Sequence, residues 1–107
     1  MQARTGGMMA DQNAVRLALR DEEEFTSIDM VLTAVGGIEL SGQDTGPTVR
    51  QTWGDADFEY GVRIAPEDVP RLAFALVAEH YRGELGAVQK ISELAERHGI
   101  SAETWSF

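Results

Sequence analysis

Apolar and polar residues alternate with a period of two over much of the first two-thirds of the chain. Val15, Leu17 and Leu19 interleave with Arg16, Ala18 and Arg20, the pattern of a half-buried strand, until the acidic run Asp21-Glu22-Glu23-Glu24 breaks it as a solvated loop. Ile28, Met30 and Leu32 alternate with Asp29, Val31 and Thr33, and Ile38 and Leu40 resume the alternation after Gly36-Gly37, which predicts a hairpin closed by a two-residue glycine turn. A competing reading makes residues 27–35 a short helix capped by Gly36, with Phe25, Ile28, Leu32 and Val35 as its stripe. The β-branched content favours the strand. Phe58, Tyr60, Val62 and Ile64 give the cleanest alternation, interleaved with Glu59, Gly61 and Arg63, and predict a central strand.

The period then changes to that of a helix. Pro66 suits a first helical position, Glu67 and Asp68 favour the positive end of the helix dipole, and Val69, Leu72, Ala73, Leu76 and Val77 follow at helical spacing. The spacing predicts a helix over 66–81, with Pro70 tolerated in its first turn and Arg82-Gly83 ending it. A second helix carries Leu85, Val88, Ile91, Leu94 and Ala95 as its stripe and closes with Arg97-His98-Gly99. In the tail, Glu103, Trp105 and Phe107 share a side if the chain is extended, so a final edge strand is expected. Residues 48–53 read equally as a strand end or a helical turn entered at Pro47.

The architecture these elements predict is α+β: an antiparallel β meander, two helices packed on one face, and a short C-terminal strand. With 107 residues, 43% apolar and 25% charged, the chain suits a folded domain. We expect residues 14–107 to form a single domain and residues 1–13, with their Gly6-Gly7 and Met8-Met9 pairs, to be a flexible tail. The start has no apolar signal-peptide core, and no apolar run reaches the roughly 20 residues of a membrane span, so a cytoplasmic protein without membrane partners is expected.

A net charge of −9, from 18 acids and 9 bases, speaks against nucleic acid and for a basic protein partner. The absence of cysteine excludes disulfides, thiolate nucleophiles and cysteine-based zinc sites. His80 and His98 fall near helix C-termini, where they read as caps, and neither has a histidine at ligand spacing, so no metal and no cofactor is expected. No phosphate loop or nucleophile elbow is visible.

Candidate chemistry gathers between residues 42 and 60. Asp44, Asp55, Asp57 and Glu59 are crowded with Trp53, Tyr60, Arg50 and turn-forming glycines. Carboxylates on adjoining loops suit general acid–base work or a hard cation, yet the spacing of a calcium loop is absent. Turn capping by Asp44 and Asp55 is the plainer explanation. Trp, Tyr and Arg are also common interface anchors, so Asp44, Trp53, Asp55, Asp57, Glu59 and Tyr60 form a candidate docking edge.

The motifs Glu39-Leu40-Ser41-Gly42-Gln43-Asp44-Thr45-Gly46-Pro47, Phe58-Glu59-Tyr60 and Gly99-Ile100…Glu103-Thr104-Trp105-Ser106 resemble those of a group of small uncharacterised bacterial proteins. The resemblance spans residues 25–107. It departs at Phe58, where the group has Tyr, and at Thr104, where it has an aromatic. Some members resemble immunity-type proteins that neutralise toxins, which implies a non-enzymatic inhibitor here. The alternatives are a small hydrolase-like enzyme using Asp44 and a neighbouring acid between the loop and the tail, and a homodimer joined through sheet edges.

Overall fold

The computed structural model describes residues 13–47 and 57–107. The chain divides into two compact units, Met1–Pro70 and Arg71–Phe107.

The first unit is built on β1 (Ala14–Asp21), β2 (Phe25–Leu32), β3 (Ile38–Thr45) and β4 (Asp57–Ile64). They form a four-stranded antiparallel meander in the order β1-β2-β3-β4. Followed by two helices, the sheet makes the fold α+β. Residues 27–35 supply strand β2 and the following turn, not a helix. The Asn13 carbonyl accepts a 2.7 Å bond from the Leu32 N–H, so pairing reaches one residue into the segment expected to be flexible tail. The rest of that segment lies outside the described residues.

Register decides which side chains share a face. Ile38 pairs with Ile64, Leu40 with Val62, Gly42 with Tyr60 and Asp44 with Phe58, while Leu32, Met30, Ile28 and Thr26 of β2 oppose Ile38, Leu40, Gly42 and Asp44. One face is therefore mostly apolar, with Ile28, Met30, Ile38 and Leu40 half-buried along the middle strands. The opposite face carries Asp29, Glu39, Ser41, Gln43, Asp57, Glu59 and Arg63.

Four strand expectations need correction. Gly42 and Asp44, expected in a turn-rich loop, belong to strand β3, which runs to Thr45 and pairs on both sides there, so Asp44 is a strand residue and not a turn cap. The alternation of Val15, Leu17 and Leu19 does not lie on one face, because a bulge between Arg16 and Ala18 sets Val15 against Met30 but Leu19 against Ser27. The hairpin between β2 and β3 is not a two-residue glycine turn. Thr33 N–H bonds to the Gly37 carbonyl at 2.8 Å across a loop of Ala34, Val35 and Gly36, and Gly36 takes the positive φ of 93° that such a loop demands of its last residue. Finally, among the described residues β4 is an edge strand and not a central one, since the meander ends there.

At the end of the first unit a 3₁₀ turn at Pro66–Asp68 leads into α1 (Val69–Tyr81), which continues into the second unit, where α2 (Ala87–Arg97) follows. Helix α1 ends at Tyr81 as predicted, before Gly83 at φ 81°, but begins at Val69, because residues 66–68 form the 3₁₀ turn instead of its first turn. Helix α2 starts later than its apolar pattern suggested. Leu85 falls in the turn and is fully exposed, as Glu84 accepts the Gly86 N–H at 3.0 Å and pairs with Lys90 at 3.1 Å, organising the helix entry. Ile91 and Leu94 are half-buried and Ala95 is buried, whereas Val88 remains exposed. The helix ends in a Schellman motif: Ile100 N–H reaches the Ala95 carbonyl at 2.8 Å and Gly99 N–H the Glu96 carbonyl at 3.3 Å, with Gly99 at φ 66°. His98 is the C-cap residue, as its position suggested.

The expected C-terminal strand is absent. Residues 101–107 are exposed and pair with no strand, and Trp105 and Phe107 meet each other instead, ring centroids 5.3 Å apart. The two rings touch at a tilt of 52° and both stay exposed, with no sheet edge alongside them.

Candidate functional site

The sheet separates the residues that the sequence crowds together. Asp44 and Tyr60 lie on the apolar face, where the Tyr60 hydroxyl donates to Asp44 Oδ1 at 3.4 Å. Asp57 and Glu59 lie on the polar face, opposite Thr45 and Gln43. Four consecutive positions of a strand point alternately to its two sides, so no single surface collects all these acids. Trp53 and Asp55, like Arg50, lie outside the described residues.

Tyr60 is placed by a missing side chain. Gly42 stands opposite it on β3, and a Cβ built there would meet the Tyr60 ring at 2.4 Å, so the ring lies across the glycine and brings its hydroxyl to Asp44. Phe58 stacks against the ring with centroids 5.5 Å apart. Lost solvation, then the negative charge of Asp44 and the hydrogen bond to it, raises the Tyr60 phenol above its ordinary value. Tyr60 nevertheless keeps 42% of its surface exposed, an aromatic held in place yet open to a partner.

On the polar face the Thr45 hydroxyl donates to Asp57 Oδ1 at 3.1 Å, which orients that carboxylate at the start of β4. Glu59 is exposed and stands opposite Gln43 in the register. Next to it, Arg63 pairs with Glu39 across the strands. Ser41 and Gly61 form the adjoining cross-strand pair, and their small size leaves an open groove of about 480 Å³ lined by Glu39, Ser41, Glu59, Gly61 and Arg63. A smaller recess of about 220 Å³ continues across the sheet to Ser27, Asp29 and Gln43. Arg16 Nε holds Asp29 at 2.6 Å on its far side.

Sequence reasoning missed this continuation. Asp29, Glu39, Ser41 and Gln43 were visible as the polar half of the alternation in β2 and β3, but only the register sets them beside Glu59. Among the described residues there is no group of three or more His, Asp or Glu suited to holding a metal ion. The arrangement offers hydrogen-bond acceptors and negative charge along an open sheet edge, with a fixed aromatic at its rim.

The fold and this edge define a small acidic α+β protein with a polar, carboxylate-bearing sheet face. No family model, curated protein or solved structure matches the chain. No helix among the described residues is long and apolar enough to cross a membrane, which says nothing of a membrane β-barrel.

Proposed function

We propose that this protein is a non-enzymatic binding module whose β3–β4 edge docks a basic protein surface, in the manner of an immunity-type inhibitor that occupies a toxin. The observation that carries this reading is the open edge itself: Asp57 and Glu59 exposed on one side of β4, and Tyr60 exposed yet held by Asp44 on the other. A partner's lysines or arginines would gain charge-assisted bonds to Asp57, already oriented by Thr45, and to the exposed Glu59, while Tyr60 adds rigid contact area with little entropy left to lose. Complementary charge also speeds encounter, which suits an inhibitor that must reach its target quickly. Asp44, Asp57, Glu59 and Tyr60 are the contact residues proposed, together with Trp53 and Asp55 from the adjoining segment.

The test is capture from the native host by immobilised wild-type protein, an Asp44→Ala variant and an Asp57→Ala variant. A basic protein retained by the wild type, released by salt and reduced at least tenfold on Asp57→Ala, supports the polar face; loss on Asp44→Ala instead moves the contact to the Tyr60 side. Equal capture by all three proteins overturns this choice of surface.

A further inference from the structure

The outer edge of β4 carries a self-complementary pattern, and from it we infer that a second copy of this chain pairs there, antiparallel, about a two-fold axis at Gly61. Strand β4 is eight residues long, has no proline, shows no register break against β3, and pairs on one side only among the described residues. Edge strands of that kind are templates for another strand unless charge, a bulge or proline blunts them. Its exposed residues run from Glu59 to Arg63 without interruption.

Centred on Gly61, antiparallel pairing sets Glu59 against Arg63 of the partner subunit, Tyr60 against Val62 of the partner subunit, and Phe58 against Ile64 of the partner subunit, and each pairing occurs twice by symmetry. Every one of them joins like faces of the sheet: charge meets opposite charge on the polar side, and aromatic meets aliphatic on the apolar side. The present ion pairing leaves room for this. Glu59 has no ion-pair partner among the described residues, and Arg63 engages Glu39 through Nε alone while its side chain stays 85% exposed. The remaining guanidinium donors can therefore take a second carboxylate. At the axis Gly61 presents no side chain, so the two backbones meet unobstructed. The product is one continuous eight-stranded sheet whose polar faces adjoin.

Odd register shifts are excluded because they would join the polar face of one copy to the apolar face of the other. A shift by two residues instead sets Asp57 against Arg63 and leaves Glu59 against Gly61. Absence of cysteine from the chain makes a register test clean. In a Glu59→Cys/Arg63→Cys variant the two thiols of one strand are about 13 Å apart, too far for an internal disulfide, whereas each faces its counterpart across the seam.

Sedimentation of the purified wild type across a wide concentration range, with no other protein present, should show mass moving from 11.7 kDa to twice that value. Glu59→Arg places like charges across the seam and should raise the dissociation constant at least tenfold, and Glu59→Arg/Arg63→Glu should recover part of the loss; circular dichroism confirms that each variant is folded. Mild oxidation should convert Glu59→Cys/Arg63→Cys to a covalent dimer faster than Asp57→Cys/Arg63→Cys. A wild type that stays monomeric at every concentration, dimerisation indifferent to Glu59→Arg, or faster cross-linking of the 57/63 pair would overturn the inference. Because sedimentation and cross-linking are read on the purified protein alone, these outcomes are independent of the capture test above.

Discussion

Two glycines on neighbouring strands are required for different reasons, and the difference is measurable. At Gly42 an added methyl meets the Tyr60 ring, the movable end of a side chain, whereas at Gly61 it meets the Leu40 carbonyl oxygen at 2.7 Å, which is backbone. A ring can swing away; a paired strand cannot without losing ladder bonds. Gly61→Ala should therefore cost roughly 1–3 kcal/mol of stability and Gly42→Ala less, as read by urea denaturation of both variants. Equal losses would mean that Tyr60 is as fixed as the backbone. Displacing the ring also separates it from Asp44, so Gly42→Ala should lower the Tyr60 phenol back toward its ordinary range, followed by ultraviolet titration in a Tyr81→Phe background. The sign is consistent: a raised value favours the neutral phenol in the folded state, a contribution complete below pH 10.0 and lost as pH rises through the folded value.

At the scale of elements, the ends of α2 carry separable tests. Gly99 sits at φ 66° within the Schellman motif, so Gly99→Ala should destabilise the helix end by about 1–2 kcal/mol, seen as faster amide exchange at His98 and Ile100. At the other end, the bond to Lys90 and then the Gly86 N–H hold the Glu84 carboxyl below its ordinary value, outweighing its lost solvation. A depressed carboxyl stabilises the fold above its unfolded value and loses that contribution as pH falls through the folded one. Acidification through the low end of the carboxylate range should thus loosen the entry of α2, and Glu84→Gln should abolish that pH response; amide exchange at Gly86 and Ala87, compared at neutral and acid pH, reads both. Strands β2 and β4, the start of β3, the body of helix α1 and both glycine helix stops were legible in the sequence, because each rests on local periodicity or on backbone conformations that one residue type favours. The bulge near Leu17, the edge position of β4 and the unpaired tail were not, since each depends on which strand lies alongside. The same holds for the candidate site: the sequence brought Asp44, Asp57, Glu59 and Tyr60 together, while pleating divided them between two faces and pairing added Asp29, Ser41 and Gln43.

For the whole molecule the dominant electrostatic fact is the imbalance of 18 acids over 9 bases. The ion pairs among the described residues, Arg16 with Asp29, Arg63 with Glu39 and Lys90 with Glu84, are exposed and screened by solvent, and contribute little stability. Against them stands the mutual repulsion of the excess carboxylates, among them the run from Asp21 to Glu24, which acts over the Debye length of about 10 Å at 0.1 M salt and shrinks to about 3 Å at 1 M. Sodium chloride should therefore raise the melting temperature at neutral pH, by a few degrees between these limits, in Glu59→Arg protein kept dilute so that pairing at β4 does not contribute. A melting temperature that falls with salt would mean that the ion pairs outweigh the repulsion. The same field has the opposite consequence for association: the attraction proposed to draw a basic partner to Asp57 and Glu59 weakens as salt screens it. Folding strengthened and capture weakened by one change of salt is a combination that neither apolar docking nor a charge-balanced surface produces.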